Sequence, residues 1–264
     1  MSGVTPRRSK GGWAWLILTG LLAGFLSGLF GVGGGILIVP ALVYLVRLDT
    51  RLAAGTSLLA ILPSAIVGVV TYAVGGNVDL LLAGLLAVGA IAGAPLGSWL
   101  LEKISKRTLQ WAFIAFIGVV IVSLFLVVPS RDAAVHIDLL GGALLVFLGL
   151  CTGVLSGLLG IGGGVVVVPM LVVLFGSSDL LAKGSSLLMM IPTALSGTIS
   201  NLRRKNVDVG AGLAVGGAAC LTTSLGGLSA AAISPSLANL LFAAFLVVIA
   251  VRMGVDAWPR RTAR

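Results

Sequence analysis

Charge is what this sequence has least of. Only 9% of its 264 residues are charged and only 8 are acidic, where a soluble globular chain carries about a quarter charged residues. With 58% hydrophobic residues and a mean hydropathy of +1.18, the chain has too little polar surface to cover itself in water. There is one histidine, His136, in a connecting segment, and there are two cysteines, Cys151 and Cys220, in apolar runs. That inventory supplies neither a metal cluster nor a disulfide framework, so no metal and no cofactor are expected and the cysteines read as core residues. No lysine follows either glycine cluster, which excludes a phosphate-binding loop. Ile36 and Val165 stand where a dinucleotide fingerprint needs its last glycine. No nucleophile and base are spaced for catalysis, so the chain is not expected to be an enzyme. No Asp, Glu, Lys or Arg falls at mid-membrane depth either, which speaks against proton coupling through a buried carboxylate.

What is present is a series of apolar runs, many near the roughly 20 residues that span a bilayer. The expected class is an all-α integral membrane protein. The net charge of +9 belongs to basic residues at the ends and in short connections, which is a topology signal and not a nucleic-acid surface. The basic-then-apolar start resembles a signal peptide, but it has a counterpart in mid-chain and reads as the first helix.

That counterpart belongs to an internal repeat. A shift of 129 positions lays the sequence on itself without a gap. "GLFGVGGGILIVP" (Gly28 to Pro40) falls on "GLLGIGGGVVVVP" (Gly157 to Pro169), and "AAGTSLLAILP" from Ala53 falls on "AKGSSLLMMIP" from Ala182. "NVD" at Asn77 falls on "NVD" at Asn206, and Phe113 and Phe116 on Phe242 and Phe245. The chain divides into a tail (1–12), a first transmembrane repeat (13–128), a linker (129–137), a second repeat (138–255) and a tail (256–264).

Each half reads as a long stretch broken by glycines, followed by three helices. In half one these are Trp13 to Val46 (broken), Ala53 to Val74, Asp79 to Leu101 and Leu109 to Val128. In half two they are Leu139 to Phe175 (broken), Ala182 to Leu202, Val209 to Ala232 and Leu237 to Val255. Loop charges choose between two topologies. If each broken stretch crosses once, 11 basic residues lie inside and 6 outside; if it turns back, 15 lie inside and only Arg131 and Lys183 outside. The positive-inside rule selects the returning path. It makes the two repeats inverted, with eight long helices, two short re-entrant arms and both termini cytoplasmic.

A helix that stops at mid-depth leaves backbone groups unpaired, at a cost of several kcal/mol each in hydrocarbon, so the break must be buried in protein or line a polar cavity. Glycine permits positive φ, and a helix starting beside the break aims free N–H groups and a positive dipole end at it. Interrupted segments at matching places in two halves mark transporter substrate sites. Gly33, Gly34, Gly35 and Gly162, Gly163, Gly164 are therefore the candidate substrate site. Gly24, Gly28, Gly31 and their counterparts Gly153, Gly157 and Gly160 have the spacing of close helix packing. Thr56, Ser57, Ser185 and Ser186 follow, with two readings open: hydroxyls for substrate oxygens, or local bonding and capping. Pro40, Pro63, Pro169 and Pro192 read as kinks near the site. Asn77, Asp79, Asn206 and Asp208 fall at helix starts and read as caps.

The doubled G-x-G-G-G-x-x-x-x-P, Gly31 to Pro40 and Gly160 to Pro169, with "GTSLL" and "GSSLL" after it, resembles the TauE/SafE sulfite-exporter family over nearly the whole chain. The resemblance implies a bacterial inner-membrane permease for sulfite or an organosulfonate, with the glycine clusters as the site region. The expected function is a secondary transporter; an anion channel and a membrane component of an enzyme or assembly complex are the alternatives. Expected partners are a small anion and membrane lipid, with no nucleic acid. The residues leave open whether H+ or Na+ is coupled and whether the chain forms a homodimer.

Overall fold

The computed structural model describes residues 10–105 and 137–257 and, between them, residues 108, 111, 114–115, 117–119 and 121–122. The expected helix Leu109 to Val128, with Phe113 and Phe116, lies largely outside these residues; those of its positions that are described are helical. Arg131, His136, most of the linker and most of both tails also lie outside them.

No strand occurs among the described residues, and nine helices have defined bounds. Half one contributes α1 (Lys10–Phe30), α2 (Gly35–Tyr44), α3 (Thr50–Val74) and α4 (Leu80–Lys103). Half two contributes α5 (Leu139–Leu159), α6 (Gly164–Phe175), α7 (Asp179–Arg203), α8 (Val209–Ala232) and α9 (Pro235–Ala257). Seven are long, and α2 and α6, with 10 and 12 residues, are the short arms. Four prolines from the repeated motifs, Pro40, Pro63, Pro169 and Pro192, lie inside helices.

Local chemistry sets most of the starts. Asp79 accepts from the Leu82 amide at 2.9 Å, and Asp208 from the Ala211 amide at 3.0 Å. Asp138 and Ser178 do the same for Gly141 and Leu181. Each satisfies one of the first-turn donors that a helix leaves unpaired. Of the four residues expected as caps, Asp79 and Asp208 are the caps, whereas Asn77 and Asn206 lie two residues ahead and do not cap; the Asn77 side-chain amide donates to the Gly75 carbonyl instead.

Five helices, α1, α3, α4, α5 and α8, are long and apolar enough to cross a bilayer. Their outward faces are apolar: Leu22, Val88, Leu221 and Leu225 are all more than half exposed. A chain that turns its leucines and valines outward along the whole bundle is built for lipid, and this is an all-α integral membrane protein. The cysteines follow the same logic and correct the expectation of core positions: Cys151 is exposed and Cys220 half-buried. An apolar run in a membrane helix has a lipid face as well as a core face.

Two glycine-lined helix pairs form the flanks. A Cβ added at Gly20, Gly24 or Gly28 of α1 would strike a backbone oxygen of α8, at Val215, Ala219 and Thr223 respectively. A Cβ at Gly89, Gly93 or Gly97 of α4 would likewise strike Val146, Leu150 and Val154 of α5. Such approach of backbones is the packing that small residues permit where no hydrophobic effect drives helices together. In both pairs the residue numbers rise together, so α1 runs parallel to α8, and α4 to α5. Helix α3 also runs parallel to α8, since Gly216 meets Ala60 and Gly227 meets Thr71. Thus α1 and α3 point the same way, and α2 brings the chain back between them. Helices α3 and α7 cross the centre antiparallel: Gly197 meets Leu58 and Gly68 meets Leu187.

Candidate functional site

The chain leaves α1 through Gly31, Val32, Gly33 and Gly34 and leaves α5 through Gly160, Ile161, Gly162 and Gly163. Six of these glycines have positive φ: 69°, 73° and 70° at Gly31, Gly33 and Gly34, and 71°, 84° and 88° at Gly160, Gly162 and Gly163. A side chain at left-handed backbone costs about 1–2 kcal/mol, so glycine is required here by conformation alone. Gly34 and Gly163 then serve as N-caps of α2 and α6. Their carbonyls accept the amides of Leu37 and Ile38, and of Val166 and Val167. The amides of Gly33, Gly34, Gly35 and Ile36 find no acceptor among the described residues, nor do those of Gly162, Gly163, Gly164 and Val165.

The two breaks touch. A Cβ on Gly35 would lie 2.6 Å from the Gly160 oxygen, and one on Gly164 would lie 2.6 Å from the Gly31 oxygen. Each short helix therefore begins against the last carbonyl of the opposite half's long helix. Met190 of α7 reaches between the clusters. Its Cε would be 1.9 Å from a Cβ at Gly33 and 2.1 Å from one at Gly162, and Ile61 of α3 closes the same space. Ile61 and Met190 occupy matching positions in the repeat, and both are fully buried.

The hydroxyl pairs divide into two duties, duplicated across the halves. Ser186 donates to the Gly31 carbonyl at 2.5 Å, and Ser57 donates to the Gly160 carbonyl. Each serine thus holds the end of a broken helix from the opposite half. Thr56 accepts from the Asp208 amide at 2.9 Å, and Ser185 accepts from the Asp79 amide at 3.0 Å. These two fasten the "NVD" connections. All four hydroxyls are fully buried. Ser57 and Ser186 border the breaks directly; Thr56 and Ser185 face away from them toward the connections.

One feature of the site escaped sequence reasoning. Lys183, expected among the outer loop charges, is on α7 and only 4% exposed, and Asp179, one turn earlier, is 3% exposed. They form an ion pair at 3.2 Å. The Lys183 backbone and side-chain stem lie against Gly31, within 2.6 Å of where a Cβ there would sit. Reading Lys183 as a loop charge thus misses its burial beside the first break. Both residues lie near the start of α7, where sequence suggests exposure, but the Gly31 break packs against Lys183 and Tyr72 of α3 against the adjoining Gly184. The half-one counterparts, Thr50 and Ala54, are uncharged, so the repeat itself carries no signal of the pair.

Residues 2–124 and 145–264 match the sulfite exporter TauE/SafE family. The chain belongs to this family. A probable membrane transporter protein of Xylella fastidiosa (strain 9a5c) is 31% identical over 253 residues, covering 91% of this chain and 94% of that one. A probable membrane transporter protein of Haemophilus influenzae is 29% identical, covering 90% of this chain and 96% of its own. The probable membrane transporter protein YunE of Bacillus subtilis is 25% identical over 216 residues, covering 73% and 79%. No solved structure matches the chain. This TauE/SafE member is thus a multi-pass membrane protein of a transporter family, and the glycine pattern that breaks α1 from α2 and α5 from α6 is the pattern on which the resemblance rests.

Proposed function

We propose that the protein is a secondary transporter that exports or exchanges a small sulfur-containing anion, sulfite or an organosulfonate, across the bacterial inner membrane, with both termini cytoplasmic. The observation that carries this reading is the contact between the two glycine breaks, each with a row of amides that find no acceptor among the described residues. Two helix N-termini with unused donors favour negative charge, and Ser57 and Ser186 stand at their rims.

The reading takes the two halves as inverted repeats. The parallel run of α1 and α3 supports a returning α2, and the antiparallel run of α3 and α7, which hold matching places, supports inversion. In this arrangement the breaks meet at the pseudo-symmetry axis, where rocking of one half against the other exposes them to either side in turn. Met190 and Ile61 fill the space between the clusters, so the state described is closed. A closed centre favours a carrier over an open pore. The anion enters as the Met190 side chain, which is long and unbranched, swings away.

Labelled-sulfite flux through Gly34→Val and Gly163→Val variants in proteoliposomes tests the assignment. Each adds a branched side chain at a left-handed cap beside the free amides. Flux should fall to background in both while the wild type transports. Wild-type flux in correctly inserted variants would remove the breaks as the site.

A further inference from the structure

One face of α7 reads Lys183, Ser186, Met190, at spacings of three and four, and all three meet the first break: Lys183 at Gly31, Ser186 at the Gly31 carbonyl and Met190 at Gly33. The matching face of α3 reads Ala54, Ser57, Ile61, and meets the second break in the same order: Ala54 and Ser57 at Gly160, and Ile61 at Gly162. The two half-sites are alike except that one carries a cation. We propose that Lys183 supplies the counter-charge for the transported anion and that Asp179 holds it while the site is empty. This rests on the transporter reading above.

Three observations support the assignment. A helix of this length forms without the pair, because α3 covers the matching 25 residues with Thr50 and Ala54 in its place. Its geometry is incomplete for a structural pair: Asp179 Oδ2 takes the ammonium at 3.2 Å, but Asp179 Oδ1 is buried with no hydrogen-bond partner among the described residues. A buried ion pair repays its desolvation only when its remaining lone pairs are satisfied, so this one is held loosely. Finally, the Lys183 stem lies against Gly31, two residues before the first of the amides, Gly33 to Gly35, that find no acceptor among the described residues. The neighbouring Tyr72 hydroxyl donates to the Gly28 carbonyl at 2.7 Å, one turn before the break.

The test is anion binding by the purified full-length protein in detergent, read as the rise in melting temperature with added sulfite, sulfoacetate or sulfate. Lys183→Gln should raise the half-saturating anion concentration about 10- to 100-fold, the range of one charge-assisted contact. Asp179→Asn, which releases the lysine from its resting partner, should lower it. A purely structural pair would move both variants the same way. Since either single change can weaken folding, the neutral pair Asp179→Asn/Lys183→Gln is the decisive variant. It should melt near the wild type without anion and bind anion as weakly as Lys183→Gln. If it binds anion like the wild type, the counter-charge role is overturned and the transporter reading stands. If the wild type responds to none of the three anions, both are overturned.

Discussion

Gly33 exposes two separable costs to any side chain, and both follow from the structure. At φ 73° an alanine sits in the left-handed region, which costs about 1–2 kcal/mol. Its Cβ would also lie 1.9 Å from the Met190 methyl and 3.2 Å from Ile61 Cγ2, and forcing extra volume into a packed core costs about 1–3 kcal/mol. Gly33→Ala should therefore lose about 2–5 kcal/mol in total. Met190→Ala alone, at a fully buried position, should lose about 2–5 kcal/mol through the cavity it leaves. In the double variant the clash is gone while the backbone strain and the Met190 truncation remain, so its loss should fall short of the sum of the two single losses by about 1–3 kcal/mol. Thermal melts in detergent read this, at roughly 2–4 °C per kcal/mol for a chain of this size. Gly162→Ala supplies an internal duplicate, since its Cβ would lie 2.1 Å from the same methyl, and it should couple to Met190→Ala to a similar extent. Strict additivity in both cycles would refute the claim that Met190 fills the space the two glycine clusters leave open.

Other expectations follow from the same geometry. Gly28→Ala places a Cβ 2.0 Å from the Thr223 oxygen and should lower the melting temperature by several degrees; Gly84→Ala, with nothing within 4 Å, should leave it unchanged or raise it. Ser186→Ala removes the donor to the Gly31 carbonyl and should cost about 1–3 kcal/mol by orphaning a buried acceptor; Ser57→Ala should cost about the same, and equal melts of wild type and both variants would count against the serines as ties between the halves. Single cysteines at Leu48 and Gly76, in a background with Cys151 and Cys220 replaced, should react with an impermeant thiol reagent from opposite sides of right-side-out and inverted vesicles. A cysteine at Ser9, before α1, should label from the same side as Leu48; labelling from the opposite side would rule out the returning α2.

The glycine breaks were legible because positive φ has a residue requirement and the repeat printed that requirement twice. The starts of α4 and α8 were legible because Asp79 and Asp208 are caps whose chemistry is local. What the hydroxyls do was only half legible. Their positions followed from the repeat, but Ser57 serves Gly160 and Ser186 serves Gly31, and a bond between halves is a property of packing. The burial of Lys183 and its pairing with Asp179 were not legible for a related reason. A charge near a helix start reads as exposed from its hydropathy, and its burial depends on which neighbours close over it. Cys151 was misplaced by equating apolar with interior, an equation that fails where the solvent is lipid.

The most direct test of the central claim is labelled-sulfite counterflow in proteoliposomes preloaded with unlabelled sulfite. The account predicts transient accumulation of label against its gradient, abolished by excess sulfite or sulfoacetate and insensitive to chloride. Flux that only equilibrates, without overshoot, would contradict a carrier and return the anion-channel reading; no flux from correctly inserted protein would contradict sulfite as the cargo.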